Sequence, residues 1–213
     1  VENLDIHDIY TNEIVQTQQL NVRPHVVYIT GGDNVNVSID NLYTATNETG
    51  SCCKVIYVRY LTISNVKGSN IRGAVEIEGC LDCILTNLST ITTSLTTPFG
   101  AVITNSARVE CYNVDMTVNS GYTDTAAANR PIALSVICDS TFNRGDGGTM
   151  LQTAPIQTSN VFAKNIVLDT QANSTVGLAF YVVYLFGDPL LKIINSSFKT
   201  LVTKGTVAAN SVN

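Results

Sequence analysis

The feature that most constrains the fold is a motif in which an alternating apolar–polar stretch reaches an asparagine and at once resumes with an apolar residue. It reads YLTISNVKG at 60–68 and ARVECYNVDMTV at 107–118. The same pattern recurs in VENL at 1–4, VSIDNL at 37–42, CILTNL at 83–88 and VFAKNI at 161–166. A β-hairpin would need a tight turn and a returning strand, and a helix would not alternate. The motif therefore predicts a strand that bends at the asparagine.

The bends recur at long, irregular intervals, as expected for a repeating unit. The aligned bend residues are Asn3, Asn41, Asn65, Asn87, Asn113 and Asn165. A second series of short apolar strands precedes them, including KVIYV at 54–58, GAVEI at 73–77 and GAVIT at 100–104. In these strands Val75 and Val102 are expected to face the core. Repeats of roughly 20 to 50 residues indicate stacked units that share one core. Asparagine suits such a corner, because it tolerates the left-handed conformation.

The predicted fold is therefore all-β, a parallel β-helix, which is a solenoid of about eight irregular rungs spaced roughly 4.8 Å apart. Residues 1–213 are expected to form a single β-helix domain that is part of a longer or processed chain. A β-sandwich is the alternative. It should show frequent Asn-Gly or Asp-Gly hairpins, whereas the one Asp-Gly pair lies in RGDGG at 144–148.

The composition excludes several classes of function. Charged residues make up 14% of the chain and the mean hydropathy is +0.17, so the chain is expected to be well buried. A net charge of −5 argues against a surface that follows phosphates, and no nucleic-acid partner is expected. No apolar run reaches the roughly 18 residues of a membrane span. No cofactor is expected, because the chain has no P-loop, dinucleotide fingerprint or two-histidine metal motif.

The chain has six cysteines. Cys80 and Cys83 have metal-ligand spacing, but no second pair completes a zinc site, so no metal site is expected. Cys83, Cys111 and Cys138 align with inward positions that other units fill with apolar residues. We therefore expect buried, unbridged thiols in a protein that assembles in a reducing compartment.

The outward positions of neighbouring rungs form a candidate glycan-binding wall. Its side chains are those of Tyr28, Tyr57, Arg59, Glu76 and Glu78. Tyrosine rings with nearby carboxylates are typical of saccharide sites. Two carboxylates are also the catalytic groups of glycoside hydrolases, so Glu76 and Glu78 are candidate catalytic acids. The alternative interpretation is an exposed ion pair between Arg59 and Glu78.

A separate candidate is the tripeptide Arg144, Gly145 and Asp146, the integrin-recognition motif of many adhesive proteins. Its glycine-rich surroundings favour first of all a turn. A cell-surface adhesin is thus one alternative function.

The repeats resemble the right-handed parallel β-helix of the pectin-lyase-like superfamily, and most resemble viral tailspike and appendage proteins. The resemblance rests on repeats such as YLTISNVKG and covers nearly the whole chain. It implies a homotrimeric spike or fibre on the virion surface that contacts a polysaccharide or glycoprotein receptor. The paired-aspartate and Gly-His-Gly motifs of polygalacturonases and the arginine-centred motif of pectate lyases are absent. The alternatives are a polysaccharide hydrolase or lyase of the β-helix type and a secreted or cell-surface location.

Overall fold

The computed structural model describes residues 2–13, 25–30, 34–92, 99–120, 132–138, 159–173 and 181–204. Within these ranges every regular element is a β-strand, which confirms the all-β class. The strands are β1 (Glu2–Thr11), β2 (Val27–Ile29), β3 (Asn34–Thr44), β4 (Asn47–Ile56), β5 (Val58–Glu78), β6 (Leu81–Thr92), β7 (Phe99–Thr104), β8 (Ala107–Ser120), β9 (Ile132–Ile137), β10 (Asn160–Asn173), β11 (Tyr181–Phe186), β12 (Leu190–Ile194) and β13 (Ser197–Lys204).

The strand pairings among the described residues are all parallel. One stack runs β1, β3, β5, β6, β8, β10 and β12, and another runs β2, β4, β5, β7, β9 and β11. β5 belongs to both stacks, because its first half pairs with β3 and β6 and its second half pairs with β4 and β7. This arrangement is consistent with a parallel β-solenoid.

Three walls can be distinguished in the rungs. The first wall comprises residues 37–40, 61–64, 83–86, 109–112, 161–164 and 191–194. The second wall follows it in sequence and comprises residues 42–44, 66–68, 88–92, 114–118, 166–168 and 197–198. The third wall consists of β2, β4, the second half of β5, β7, β9 and β11.

Apolar residues fill the interior in columns, with one residue of each rung stacked on the next. Ile39, Ile63 and Leu85 form such a column on the first wall, and all three are fully buried. The column continues through Cys111 and Ala163 on the following rungs. Alternation of period two explains this arrangement, because every second side chain of a strand points to the same face.

The asparagine series turns the chain between the first and second walls, as predicted. This Asn corner consists of Asp8, Asn41, Asn65, Asn87, Asn113, Asn165 and Asn195, each with a positive φ. Leu85 and Leu88 lie three residues apart and would face opposite sides of a regular strand. The bend at Asn87, with φ of 55°, allows both of them to face the core, where each is at most 1% exposed.

The predicted position of one asparagine of the aligned series, Asn3, is wrong. Asn3 stacks with Asn36 at the opposite end of the first wall, where the side-chain amide of Asn36 donates to Asn3 Oδ1 at 2.9 Å. Asp8 takes the place beside Asn41 in the Asn corner. The reason is that β1 bends twice, at Asn3 and at Asp8, and only the first bend is an asparagine.

Val102 is a second correction. It was predicted to face the core, but it is partly exposed, whereas Ala101 and Ile103 on either side are buried. In the register of the third wall Val102 stacks on Glu76, which also points outward.

Candidate functional site

An open groove of about 710 Å³ lies on the outer face of the first wall. The groove runs along the bend that comes just before this wall in the sequence of each rung. We call this bend the mixed corner. The stacked residues of the mixed corner are Asn3, Asn36, Tyr60, Asp82, Arg108 and Asn160. The outward side chains of the first wall that line the groove are those of Ser38, Thr62, Ile84, Glu110 and Phe162.

The mixed corner bends the chain much as the Asn corner does, but with different residue types. Asn3, Asn36 and Asp82 have φ of 56°. Tyr60 and Arg108 also have positive φ, of 61° and 54°. Asparagine and aspartate visit this left-handed region readily, whereas larger side chains do so at a cost. Tyr60 and Arg108 are therefore strained, and both line the groove.

Asp82 and Arg108 form a bidentate ion pair between adjacent rungs. Arg108 donates from Nε to Oδ1 of Asp82 at 2.5 Å and from Nη2 to Oδ2 at 2.7 Å. These hydrogen bonds, with the attraction of the charges, lower the pKa of Asp82 and raise that of Arg108. Both side chains remain accessible, with 31% of Asp82 and 59% of Arg108 exposed. The pair thus offers donors and acceptors to a ligand.

Tyr112 contacts two side chains that line the groove, those of Glu110 and Phe162. Its hydroxyl donates to Oε2 of Glu110 at 2.6 Å, and this hydrogen bond raises the pKa of Tyr112. Its ring meets that of Phe162 edge to face, with centroids 6.1 Å apart. Lys192 Nζ lies 5.9 Å from the Phe162 ring centroid. Phe162 is thereby held between an aromatic ring and a cation.

The lining combines aromatic rings, hydroxyls, amides and carboxylates, which is the chemistry of a saccharide-binding surface. It is less suited to acid catalysis. Asp82 is held ionised by Arg108, and Glu110 accepts a hydrogen bond from Tyr112. Within the described part of the chain, no three His, Cys, Asp or Glu side chains are grouped so that they could hold a metal ion.

The predicted glycan-binding wall is not assembled as expected. None of its five residues lines the groove. In the register of the third wall, Lys54 lies between Tyr28 and Glu76, and its Nζ is 3.6 Å from Oε2 of Glu76. Tyr28 is exposed, whereas the Glu76 side chain is only 15% exposed. Glu76, an acid at the centre of the predicted site, is therefore engaged in a salt bridge with Lys54.

Tyr57 and Arg59 lie next to each other, but away from Tyr28 and Glu76 in the register. Tyr57 is at a third corner, where its φ is 56° and its ring lies against Gly79. Arg59 follows this corner and is exposed. Both residues line a small cleft of about 130 Å³. The backbone N–H of Tyr57 also donates to the carbonyl oxygen of Glu78 at 2.9 Å. The structure thus brings Tyr57 near Arg59 and Glu78 and separates it from Tyr28 and Glu76.

Glu78 is the clearest correction within the predicted site. It was expected to point outward, but it is only 7% exposed. It directly precedes the bend at Gly79, which has φ of 62°, and the strand alternation stops there. Glu78 pairs in register with Ile56, so the predicted partner Arg59 is not its neighbour. Lys54 and Glu76 form an ion pair on this wall.

The adhesion candidate Arg144, Gly145 and Asp146 lies outside the described residues. The prediction of unbridged cysteines is confirmed, because all six are free thiols. Cys138 is only half-buried, so its predicted core position is wrong. It lies at the third corner, where its sulfur accepts a hydrogen bond from the backbone N–H of Ser159 at 3.0 Å.

Sequence reasoning missed the residues that line the groove, although a signal for them exists. Each residue of the mixed corner precedes the Asn-corner residue of its own rung by the same interval, as Asp82 precedes Asn87 and Arg108 precedes Asn113. Aligning the rungs at this position as well would have placed Asp82 next to Arg108.

Comparisons with protein-family models, with curated proteins and with solved structures find no match to this chain. Across the described ranges, no helical segment has the length and hydrophobicity that crossing a membrane requires.

Proposed function

We propose that this chain is a segment of a receptor-facing appendage, of the virion spike or fibre type, and that it binds surface glycans through the groove of the first wall. In this proposal the solenoid is the right-handed β-helix of the pectin-lyase-like superfamily, and three copies assemble into a homotrimer. The parallel stacking and the Asn corner support the fold. Six unbridged cysteines suit assembly in a reducing compartment, such as the cytoplasm of an infected cell.

The lining of the groove is the observation that supports glycan binding. Phe162 presents an aromatic ring fixed by Tyr112, and the Asp82–Arg108 pair lies on a neighbouring part of the same surface. A sugar ring has an apolar face that packs on aromatic side chains and hydroxyls that bond charged groups. An open groove on the side of a solenoid also suits a long polymer better than a small molecule.

Binding fits the groove better than cleavage. Glycoside hydrolysis needs one carboxylic acid in its protonated form to assist the leaving group. The carboxyl of Asp82 has its pKa lowered by Arg108, so it is ionised at neutral pH. No observation in the groove favours a hydrolase or lyase specifically.

Binding of the purified chain to a panel of surface polysaccharides and glycoprotein glycans tests the proposal, with product analysis by size. We expect wild type to bind at least one glycan and to release no fragments. Phe162→Ala should weaken binding about tenfold, because the ring face is lost. Tyr28→Ala is the matched control on the third wall and should bind as wild type does.

Three results would contradict the proposal. Wild type that binds no glycan would end it. Loss of binding in Tyr28→Ala but not in Phe162→Ala would move the site to the third wall. Release of fragments would make the protein an enzyme. Circular dichroism of both variants guards against misreading a folding defect as a binding defect.

A further inference from the structure

We infer that Tyr60 and Arg108 determine which ligand the groove accepts, and that this ligand is an uncharged saccharide. The inference rests on the proposed function and names the selecting residues and the ligand class of the same groove.

The two ends of the first wall provide an internal comparison. At the Asn corner every bend residue with positive φ is an asparagine or aspartate, from Asp8 to Asn195. At the mixed corner the same conformation is adopted by Tyr60 and Arg108. Large side chains are disfavoured there relative to asparagine, so asparagine would suit the backbone better at both positions.

The mixed corner itself accommodates asparagine. Asn3 and Asn36 occupy it on adjacent rungs with the same φ, and their side chains hydrogen bond along the stack at 2.9 Å. Backbone strain that the fold does not require indicates a side chain retained for another purpose. Tyr60 and Arg108 both line the groove, and 52% of Tyr60 is exposed. Their placement thus points to ligand contact and not to packing.

The chemistry of the two side chains is complementary. Tyr60 offers a flat ring with a polar edge, on which the apolar face of a sugar packs. Arg108 uses Nε and Nη2 to bind Asp82. A guanidinium has further N–H donors, which remain to bond sugar hydroxyls. The Asp82 carboxylate, held in place by Arg108, accepts from other hydroxyls.

The charge of the groove favours an uncharged ligand. Among the described residues that line it, Asp82 and Glu110 are acidic and Arg108 is basic. The charge of Arg108 is matched by Asp82, and Lys192, whose Nζ lies 5.9 Å from the Phe162 ring centroid, offsets the charge of Glu110. A surface whose charges balance in this way attracts neither an anionic nor a cationic saccharide, so an uncharged one suits it best.

The test combines thermal unfolding with glycan binding for Tyr60→Asn, Tyr60→Phe and Arg108→Asn. We expect Tyr60→Asn to unfold at a temperature about 2 to 4 °C higher than wild type, since corner strain is relieved. Its affinity should fall about tenfold with the loss of the ring. Tyr60→Phe keeps the ring and the strain, so its unfolding temperature should match that of wild type, and its affinity should fall less than that of Tyr60→Asn because only the hydroxyl is lost. Arg108→Asn should lose affinity without unfolding at a lower temperature.

A Tyr60→Asn variant that unfolds at a lower temperature than wild type would overturn the inference, because Tyr60 would then be needed for packing. Equal affinity of wild type and Tyr60→Asn would overturn it too, as would a preference of wild type for anionic over uncharged glycans. These results all differ from failure of the proposed function, in which wild type binds no glycan and the inference falls with it.

Discussion

The side-chain amide of Asn87 donates a hydrogen bond to Oδ1 of Asn65 on the adjacent rung, at 3.1 Å. Asn113 makes the same contact with Asn87 on the next rung, at 3.3 Å. Each asparagine therefore serves two purposes, since its backbone adopts the bend and its side chain joins neighbouring rungs. The two purposes can be separated by substitution.

Asn87→Ala should lower the free energy of unfolding by about 2 kcal/mol, because alanine loses the ladder hydrogen bonds and is strained at positive φ. Asn87→Gly loses the same bonds without the strain, so its cost should be smaller by about 1 kcal/mol. Urea unfolding of the two variants measures the difference. Equal costs would show that the positive φ of Asn87 is not a source of strain for alanine.

The inward columns are tested by two neighbouring residues of β6. Leu85 is fully buried and Ile84 is 41% exposed. Leu85→Ala should cost about 2 to 4 kcal/mol through lost burial and a residual cavity. Ile84→Ala, the matched control, should change stability by about 0.5 kcal/mol or less. A near-neutral Leu85→Ala in urea unfolding would contradict the observed burial.

The contrast between the buried Leu85 and the exposed Ile84 shows which features of the fold the sequence could predict. Whether a side chain points inward depends on local alternation, so Leu85 and Ile63 could be assigned from the pattern alone. Which residues are neighbours across rungs depends on how much chain each loop uses, and the pattern does not record this. The register of β4 and β5 also shifts between Asn47 and Ser51. The predicted site placed Tyr57 beside Glu76, whereas Lys54 takes that place.

Thiol reactivity should report the core directly. Burial raises the pKa of Cys52 and of Cys111 to about 12, so their thiolates are scarce at neutral pH. In the native protein we expect a thiol reagent to label Cys138 first, because it is the half-buried cysteine. Cys138→Ser should remove that early reaction.

Denaturation without a reducing agent should then expose all six thiols to the reagent. The measurement is absorbance titration before and after unfolding. Fewer reactive groups in the denatured chain would mean disulfides, and would weaken the proposal of assembly in a reducing compartment.

Acid should destabilise the Asn corner through Asp40. Its carboxylate accepts hydrogen bonds from Ser64 Oγ at 2.6 Å and from Asn65 Nδ2 at 2.8 Å, and these lower its pKa below the ordinary value of 3.8. A carboxyl with a lowered folded-state pKa stabilises the fold above its unfolded pKa, and this contribution is lost as the pH falls through the folded value. We therefore expect the unfolding temperature of wild type to drop below about pH 4.

Asp40→Asn isolates this contribution, because an amide oxygen accepts the same hydrogen bonds but does not titrate. The variant should unfold at a slightly lower temperature than wild type at pH 7, where the charged carboxylate makes the stronger bonds. Its unfolding temperature should also fall less steeply with acid. Asp115→Asn removes the same charge at an exposed position on the second wall and serves as the control for the change in net charge. If the unfolding temperature of Asp40→Asn fell with acid as steeply as that of wild type, Asp40 would not couple protonation to the stability of the Asn corner.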